Sequence, residues 1–407
     1  MKISKLTTGL TFLVTVALML DWAPSFFFDV DPHFYSGTKF IILILIVDIF
    51  INLKTYIKLR YGWLYFFALL LGVGGGVLEG NVPLQRFWEL LPTPIILLFY
   101  LKPRGDEEVI SILKICFWCS LLVPVSTLLA FWGIISPTAI QESEHNYRII
   151  GGVSWSSFGQ YLIFIPATLG GIFLVRDLNK LKIKDYIISG ASIMMGLSAC
   201  LLTALRAVVG VYLIILGLSF FSYLRRHLSL RRGLSVILFL CITLGIVFFF
   251  RSFLFDIMPT TISRFQAIND EESSLVRIDQ YRLLLEDLLD EPHFFPIGME
   301  IATRGKGQYM QIHSILGEAF YDGGLILMLV LLWGFIYGGY RICTLRRRYR
   351  NTLRANIIIT LLFVFFGYII VLSFHPGLHT RIVYLMLGLC LSYGKVAVPG
   401  VKTSNPI

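Results

Sequence analysis

The chain has 407 residues, 56% of them hydrophobic and only 15% charged, with a formal net charge of +10. Its mean hydropathy is +0.76. A soluble domain carries about 25% charged residues, so these values exclude a soluble enzyme on a single anchor and predict an all-α, polytopic integral membrane protein. The positive charge calls for no nucleic acid, because Lys and Arg concentrate in the cytoplasmic loops of membrane proteins.

The first segment, "MKISKLTTGLTFLVTVALMLDWAPS", pairs a basic end with an apolar stretch but has no small-x-small cleavage site before Asp21. It is therefore expected to be a retained first helix rather than a signal peptide. About twelve spans follow from the apolar runs: roughly 6–22, 39–53, 61–78, 83–101, 110–134, 152–175, 186–203, 205–223, 233–250, 314–340, 355–373 and 379–396. The pair at 186–223 is separated only by "TALRA", which predicts a tight helical hairpin. Cys116 and Cys119 form a CxxC inside "LKICFWCSLL". An apolar helix is a poor place for a metal or redox pair, and no disulfide framework is visible.

Basic clusters set the orientation. "NLKTYIKLR", "LKPRG", "VRDLNKLKIKD", "LRRHLSLRR" and "RICTLRRRYRNTLR" each follow an even-numbered span, which puts them and both termini in the cytoplasm. The opposite, outer side then holds one long connection, 251–313. Within it, Leu275, Ile278, Tyr281, Leu284, Leu285, Leu288 and Leu289 recur at helical spacing, and Pro292 stops the pattern. An amphipathic helix capping the membrane surface is predicted. The chain thus divides into membrane helices in 1–250, the large outer loop 251–313, and further helices with a cytoplasmic tail in 314–407.

Six of the seven histidines fall on the outer side: His33, His145, His293, His313, His375 and His379. The outer arginines stand singly, among them Arg86, Arg148, Arg206, Arg277, Arg282 and Arg304. Arg206 is the sharpest case, at the turn of an apolar hairpin. A charge there faces a cavity or partner, or snorkels to lipid headgroups. Arg86 has Glu89 three residues on, so an intrahelical pair competes with a ligand-binding role. Arg277 and Arg282 lie on the amphipathic helix, where an ordinary solvated face is the alternative. Guanidinium is a planar donor fork matched to phosphate oxygens, and lipid pyrophosphates sit at that depth. No Walker A, HExxH or GxSxG motif appears, so neither a nucleotide nor a metal cofactor is expected.

Four segments, in order, resemble the O-antigen ligase and O-antigen polymerase superfamily of polysaccharide-assembly proteins. They are "YRIIGGVSWSSFGQYL" (147–162), "TALRAVVGVYLIIL" (203–216), "SSLVRIDQYRLLLEDLLDEPHFFPIGME" (273–300) and "HSILGEAFYDGGLILML" (313–329). The chain departs from the family pattern at Ser314, where Asn is common, and at Leu205, where Ser is common. The resemblance implies a fold like that of GT-C-type membrane glycosyltransferases and a glycan transferase at the outer face of a bacterial inner membrane. It implies an undecaprenyl-pyrophosphate-linked donor, and a lipid-linked repeat unit or lipid A–core as acceptor. Membrane lipids and a chain-length regulator are further implied partners. By position, Arg206 and Arg277 would hold the pyrophosphate, with Arg148 a third candidate. His313 would act as general base on the acceptor hydroxyl or bind the diphosphate. Arg282, Arg86, Arg304 and Asp322 complete the substrate-binding set.

A polymerase joining repeat units is slightly favoured over a ligase. A twelve-span transporter predicts an internal repeat, and none is visible; a non-catalytic envelope scaffold is a third class. The stretch "QYMQIHSILGEAFYDGG" ahead of a lipid-like run predicts that Glu318 and Asp322 lie at the rim of a polar site. Spaced i, i+4, they share a helix face. Asp322 aligns with the family's acidic position, and Glu318 is expected to be solvated.

Overall fold

The computed structural model describes residues 2–22, 37–136, 139–143, 146–150, 155–173, 183–203, 205–227, 272–290, 296, 314–349, 353–375 and 377–394. Its helices are, in chain order, α1 (Lys2–Met19), α2 (Gly37–Ile51), α3 (Leu53–Tyr56), α4 (Arg60–Leu78), α5 (Leu84–Leu90), α6 (Pro92–Leu101) and α7 (Asp106–Phe131). After a two-stranded hairpin, β1 (Ala139–Ser143) and β2 (Asn146–Ile150), come α8 (Trp155–Leu162), α9 (Phe164–Thr168) with a π turn (Leu169–Phe173), α10 (Ile183–Thr203) and α11 (Arg206–His227). The last are α12 (Glu272–Asp290), α13 (Ile315–Arg348), α14 (Leu353–Phe374) and α15 (Arg381–Ser392). The ninth predicted span, 233–250, lies outside the described residues.

Four helices, Arg60–Leu78, Asp106–Phe131, Ile315–Arg348 and Arg354–Phe374, are long and apolar enough to cross a membrane. Shorter apolar helices accompany them. Large apolar side chains also point outward: Phe50 is 71% exposed, Leu71 63%, Phe221 64% and Trp333 57%. An apolar exterior of this kind is unfavourable in water and suits lipid. The chain is a helical membrane protein.

Glycines set the closest helix approaches. A Cβ at Gly72 in α4 would run into the carbonyl oxygen of Gly323 in α13. Further along the same pair, the Tyr61 hydroxyl reaches the Val330 carbonyl at 3.1 Å, so the two helices run antiparallel. Helices in lipid pack through such small-residue contacts because no hydrophobic force drives them together. Gly72→Ala must therefore push the backbones of α4 and α13 apart rather than shift one side chain. We expect a loss of about 1–3 kcal/mol, read as a lower unfolding temperature in detergent. Gly190→Ala, with open space around its Cβ, should leave that temperature unchanged or raised.

At the centre, α6 and α15 lie side by side. All of α6 is buried, as is α15 from Ile382 to Ser392. The Tyr65 hydroxyl donates to that of Tyr384 at 2.8 Å, and Ser392 Oγ donates to the Tyr100 carbonyl at 3.0 Å.

Charges gather at the two ends of the bundle. One end holds Lys102 with Asp48 at 2.7 Å, Arg104 with Glu108 at 3.0 Å and Arg354 with Asp106 at 2.7 Å. The other holds the α4–α5 turn with Asn81, Asp21 after α1, Pro296, and residues 377–380 between α14 and α15.

Several local features depart from the sequence expectation. The span expected at 83–101 is two helices meeting at Leu91, because Pro92 and Pro94 supply no amide to bridge the junction. The stretch between the spans expected at 110–134 and 152–175 contains the β1–β2 hairpin. The helix from Ile315 is not straight: Gly324 has φ 75 and ψ 177, a region open only to glycine, and the helix is broken there.

Candidate functional site

Ser314 caps α13, its side chain accepting from the Gly317 amide at 3.4 Å, as N-cap serines do. One turn in, Glu318 and then Asp322 face α5. Arg86 on α5 answers them: Nε donates to Asp322 Oδ2 at 2.7 Å and Nη2 to Glu318 Oε1 at 2.9 Å. Its Nη1 reaches Glu89 Oε2 at 3.3 Å. The intrahelical pair is thus present, but the two shorter contacts cross to another helix. Three carboxylates occupy this guanidinium, which makes Arg86 a lock between α5 and α13 more than an open anion donor.

Glu318 is only 1% exposed, a correction to its expected solvated position. A buried carboxylate must have its lone pairs met. Its second oxygen, Oε2, accepts from the backbone amides of Gly377 at 2.6 Å and Leu378 at 2.7 Å. One side chain thereby fastens α13, α5 and the α14–α15 connection together. The Leu378 carbonyl in turn accepts from the Tyr384 hydroxyl at 2.8 Å, and Arg381 pairs with Asp21 after α1. The short strap 377–380 is held from both sides.

Within that strap Leu378 and Thr380 are buried while His379 between them is half-buried. The His379 Nδ1 is buried and meets no hydrogen-bond partner among the described residues. Burial pushes the imidazole below its ordinary value of 6.5, and the Glu318 carboxylate offsets part of that. His379 is thus poised as a neutral base at pH 7.

The described parts of the long connection dock at the same end. Tyr321 on α13 donates to Asp287 on α12, and Leu284 of α12 is buried. The Pro296 carbonyl accepts from Asn81 Nδ2 at 3.3 Å, and the Pro296 ring packs on Gly76. Arg277 belongs to α12. Arg282 is 73% exposed and pairs with Glu286 at 3.4 Å on its own helix, the ordinary solvated face that competed with a ligand role.

Arg206 opens α11 and is half-buried. Two residues on, Val208 packs against Gly159 of α8, and neighbouring Gln160 donates to Thr380 Oγ1 at 3.3 Å. That sequence of contacts ties the start of α11 to the strap bearing His379. Arg148 lies on β2 opposite Gln141. His313 and Arg304 lie outside the described residues, His313 immediately preceding the Ser314 cap in sequence. Cys116 and Cys119 are buried free thiols. Among the described residues, no group of three or more His, Cys, Asp or Glu could hold a metal ion.

Two site residues are not legible from sequence. The role of Glu318 is hidden because a partnership with two backbone amides leaves no mark in spacing. His379 carries one weak signal, an outer-side histidine just ahead of an apolar run. No protein-family model matches the chain, and no curated protein matches it significantly. What fold and site define together is a class: a helical membrane protein with a rigid, charge-locked polar cluster at one end.

Proposed function

We propose that this protein is a membrane glycosyltransferase that takes a glycan from an undecaprenyl-pyrophosphate donor at the outer face of the bacterial inner membrane, acting as a surface-polysaccharide polymerase. In this reading about twelve spans carry both termini in the cytoplasm. The end bearing Arg86 and Glu318 faces outward.

The observation that supports it best is convergence. Contacts link the start of α11, the 377–380 strap, the head of α13 and α12 at one end of the bundle; these elements carry Arg206, His379 and Arg277, and His313 precedes the α13 cap in sequence. An acceptor-sugar hydroxyl attacks the donor's anomeric carbon, the bond to the pyrophosphate breaks, and the lipid pyrophosphate leaves with the electron pair. Arg206 and Arg277, with Arg148 and Arg304 as further candidates, stabilise the charge that grows on that leaving group. The docked α12 segment covers the reacting atoms and excludes water.

The test is transfer by purified protein in nanodiscs supplied with a defined undecaprenyl-pyrophosphate glycan. A second lipid-linked repeat is the acceptor in one reaction and lipid A–core in another. Product with the repeat is expected. Product only with lipid A–core would make it a ligase, and product with neither would refute glycan transfer.

A further inference from the structure

Resting on the glycan-transfer reading above, we infer that His379 is a catalytic residue, the group that takes the proton from the attacking acceptor hydroxyl. The inference starts from geometry. Glu318 clamps the amides on the N-terminal side of His379. On the other side Thr380 accepts from Gln160 and Arg381 is tied to Asp21. The strap therefore presents the imidazole from a fixed backbone. His379 is the half-buried member of a strap whose other described residues, Gly377, Leu378 and Thr380, are buried, so it is the residue of the strap that keeps exposed surface. Its Nδ1 is buried and meets no hydrogen-bond partner among the described residues, in an interior where such groups are normally paired. Nδ1 is closed to a ligand, so the ring nitrogen that would meet the acceptor hydroxyl is Nε2.

The chemistry balances. The acceptor O–H proton moves to a ring nitrogen of His379, the oxygen forms the new glycosidic bond, and the anomeric carbon–phosphate bond breaks. The pyrophosphate departs with the electron pair, and the imidazolium later releases its proton to water. Among the described residues, the charged groups within electrostatic reach of the ring are Glu318, Arg86 and Glu89. Glu318 stabilises the imidazolium, and Arg86 opposes it. This division leaves His313 the diphosphate-binding role, so the two histidines separate functionally.

The experiment compares wild type, His379→Gln and His313→Gln in nanodiscs. Transfer rate is measured across pH 5–8, alongside binding of undecaprenyl pyrophosphate alone. His379→Gln should slow transfer by about 100-fold, the usual lower range for a lost general base. It should also abolish the acid-side decline of the wild-type pH profile and bind undecaprenyl pyrophosphate within about twofold of wild type. His313→Gln should weaken that binding. A wild-type rate and pH profile in His379→Gln overturns the assignment. So does loss of binding together with transfer, which would make His379 structural. Should the glutamine variant not fold, His379→Asn carries the same comparison. Inactive wild type refutes the glycan-transfer reading itself, an outcome distinct from a silent His379 variant in an active enzyme.

Discussion

Glu318→Ala is expected to destabilise the protein by about 3–5 kcal/mol, the range for breaking a buried charge pair while leaving its partners behind. The carboxylate answers the Arg86 guanidinium at 2.9 Å and two backbone amides at 2.6 and 2.7 Å. Alanine strands both amides and leaves Arg86 with only Asp322 and the weaker Glu89 contact. Glu89→Ala removes only a 3.3 Å contact from a side chain 36% exposed and should cost under about 1 kcal/mol. Denaturation in detergent, followed by tryptophan fluorescence, ranks the variants. The double variant Arg86→Ala with Glu318→Ala separates the two duties of the carboxylate. Were the ion pair its whole contribution, deleting both partners would restore most of the loss. Because Gly377 and Leu378 remain unsatisfied, much of the loss should persist. A Glu318→Ala protein as stable as wild type would remove the clamp from the description of the site.

Arg206→Ala and Arg277→Ala are each expected to slow glycan transfer by about 10²–10³-fold, the usual consequence of deleting a donor to a developing oxyanion. Both should weaken binding of undecaprenyl pyrophosphate. Arg282→Ala is the internal control. That side chain is 73% exposed and paired within its own helix, so its loss should change the rate less than about twofold, as surface ion pairs do for stability. The readout is initial rate against donor concentration with protein matched for monodispersity. Unchanged rates in Arg206→Ala, Arg277→Ala and His313→Ala together would dismantle the proposed leaving-group site.

Much of the helix layout was legible because lipid imposes a simple rule: long apolar runs become helices. The span expected at 61–78 is the helix Arg60–Leu78, and the hairpin expected at 186–223 is Ile183–Thr203 followed by Arg206–His227. The amphipathic pattern ending before Pro292 is the helix Glu272–Asp290. Hydropathy could not reveal features that depend on single backbone groups or distant partners. Leu91 interrupts a run that looks uniformly apolar. The β1–β2 hairpin is too short and too polar to announce itself.

The site divides the same way. Spacing put Glu318 and Asp322 on one face, and that much follows from helical periodicity. That Arg86 would meet them across 232 and 236 residues of chain is a matter of tertiary packing. The i, i+3 neighbour Glu89 was the more obvious partner from sequence and is the weaker one in space. His379 illustrates the opposite limit. Its residue type suggested proton chemistry, but only packing could show one ring nitrogen sealed from water and without a partner among the described residues.

The break at Gly324 has an electrical consequence. As one straight rod the 34 residues of α13 would extend about 51 Å, well beyond a hydrocarbon core of about 30 Å. Interrupted at Gly324, the segment beginning at residue 325 is a separate membrane-length helix with its own N-terminus. A helix start carries roughly half a positive charge from its aligned peptide dipoles. Here that pole forms just beyond Asp322, beside three carboxylates that share one guanidinium. The backbone thus supplies cationic character that no side chain contributes. The cluster can stay ionised away from water without enlisting the arginines assigned to the pyrophosphate in the proposed function.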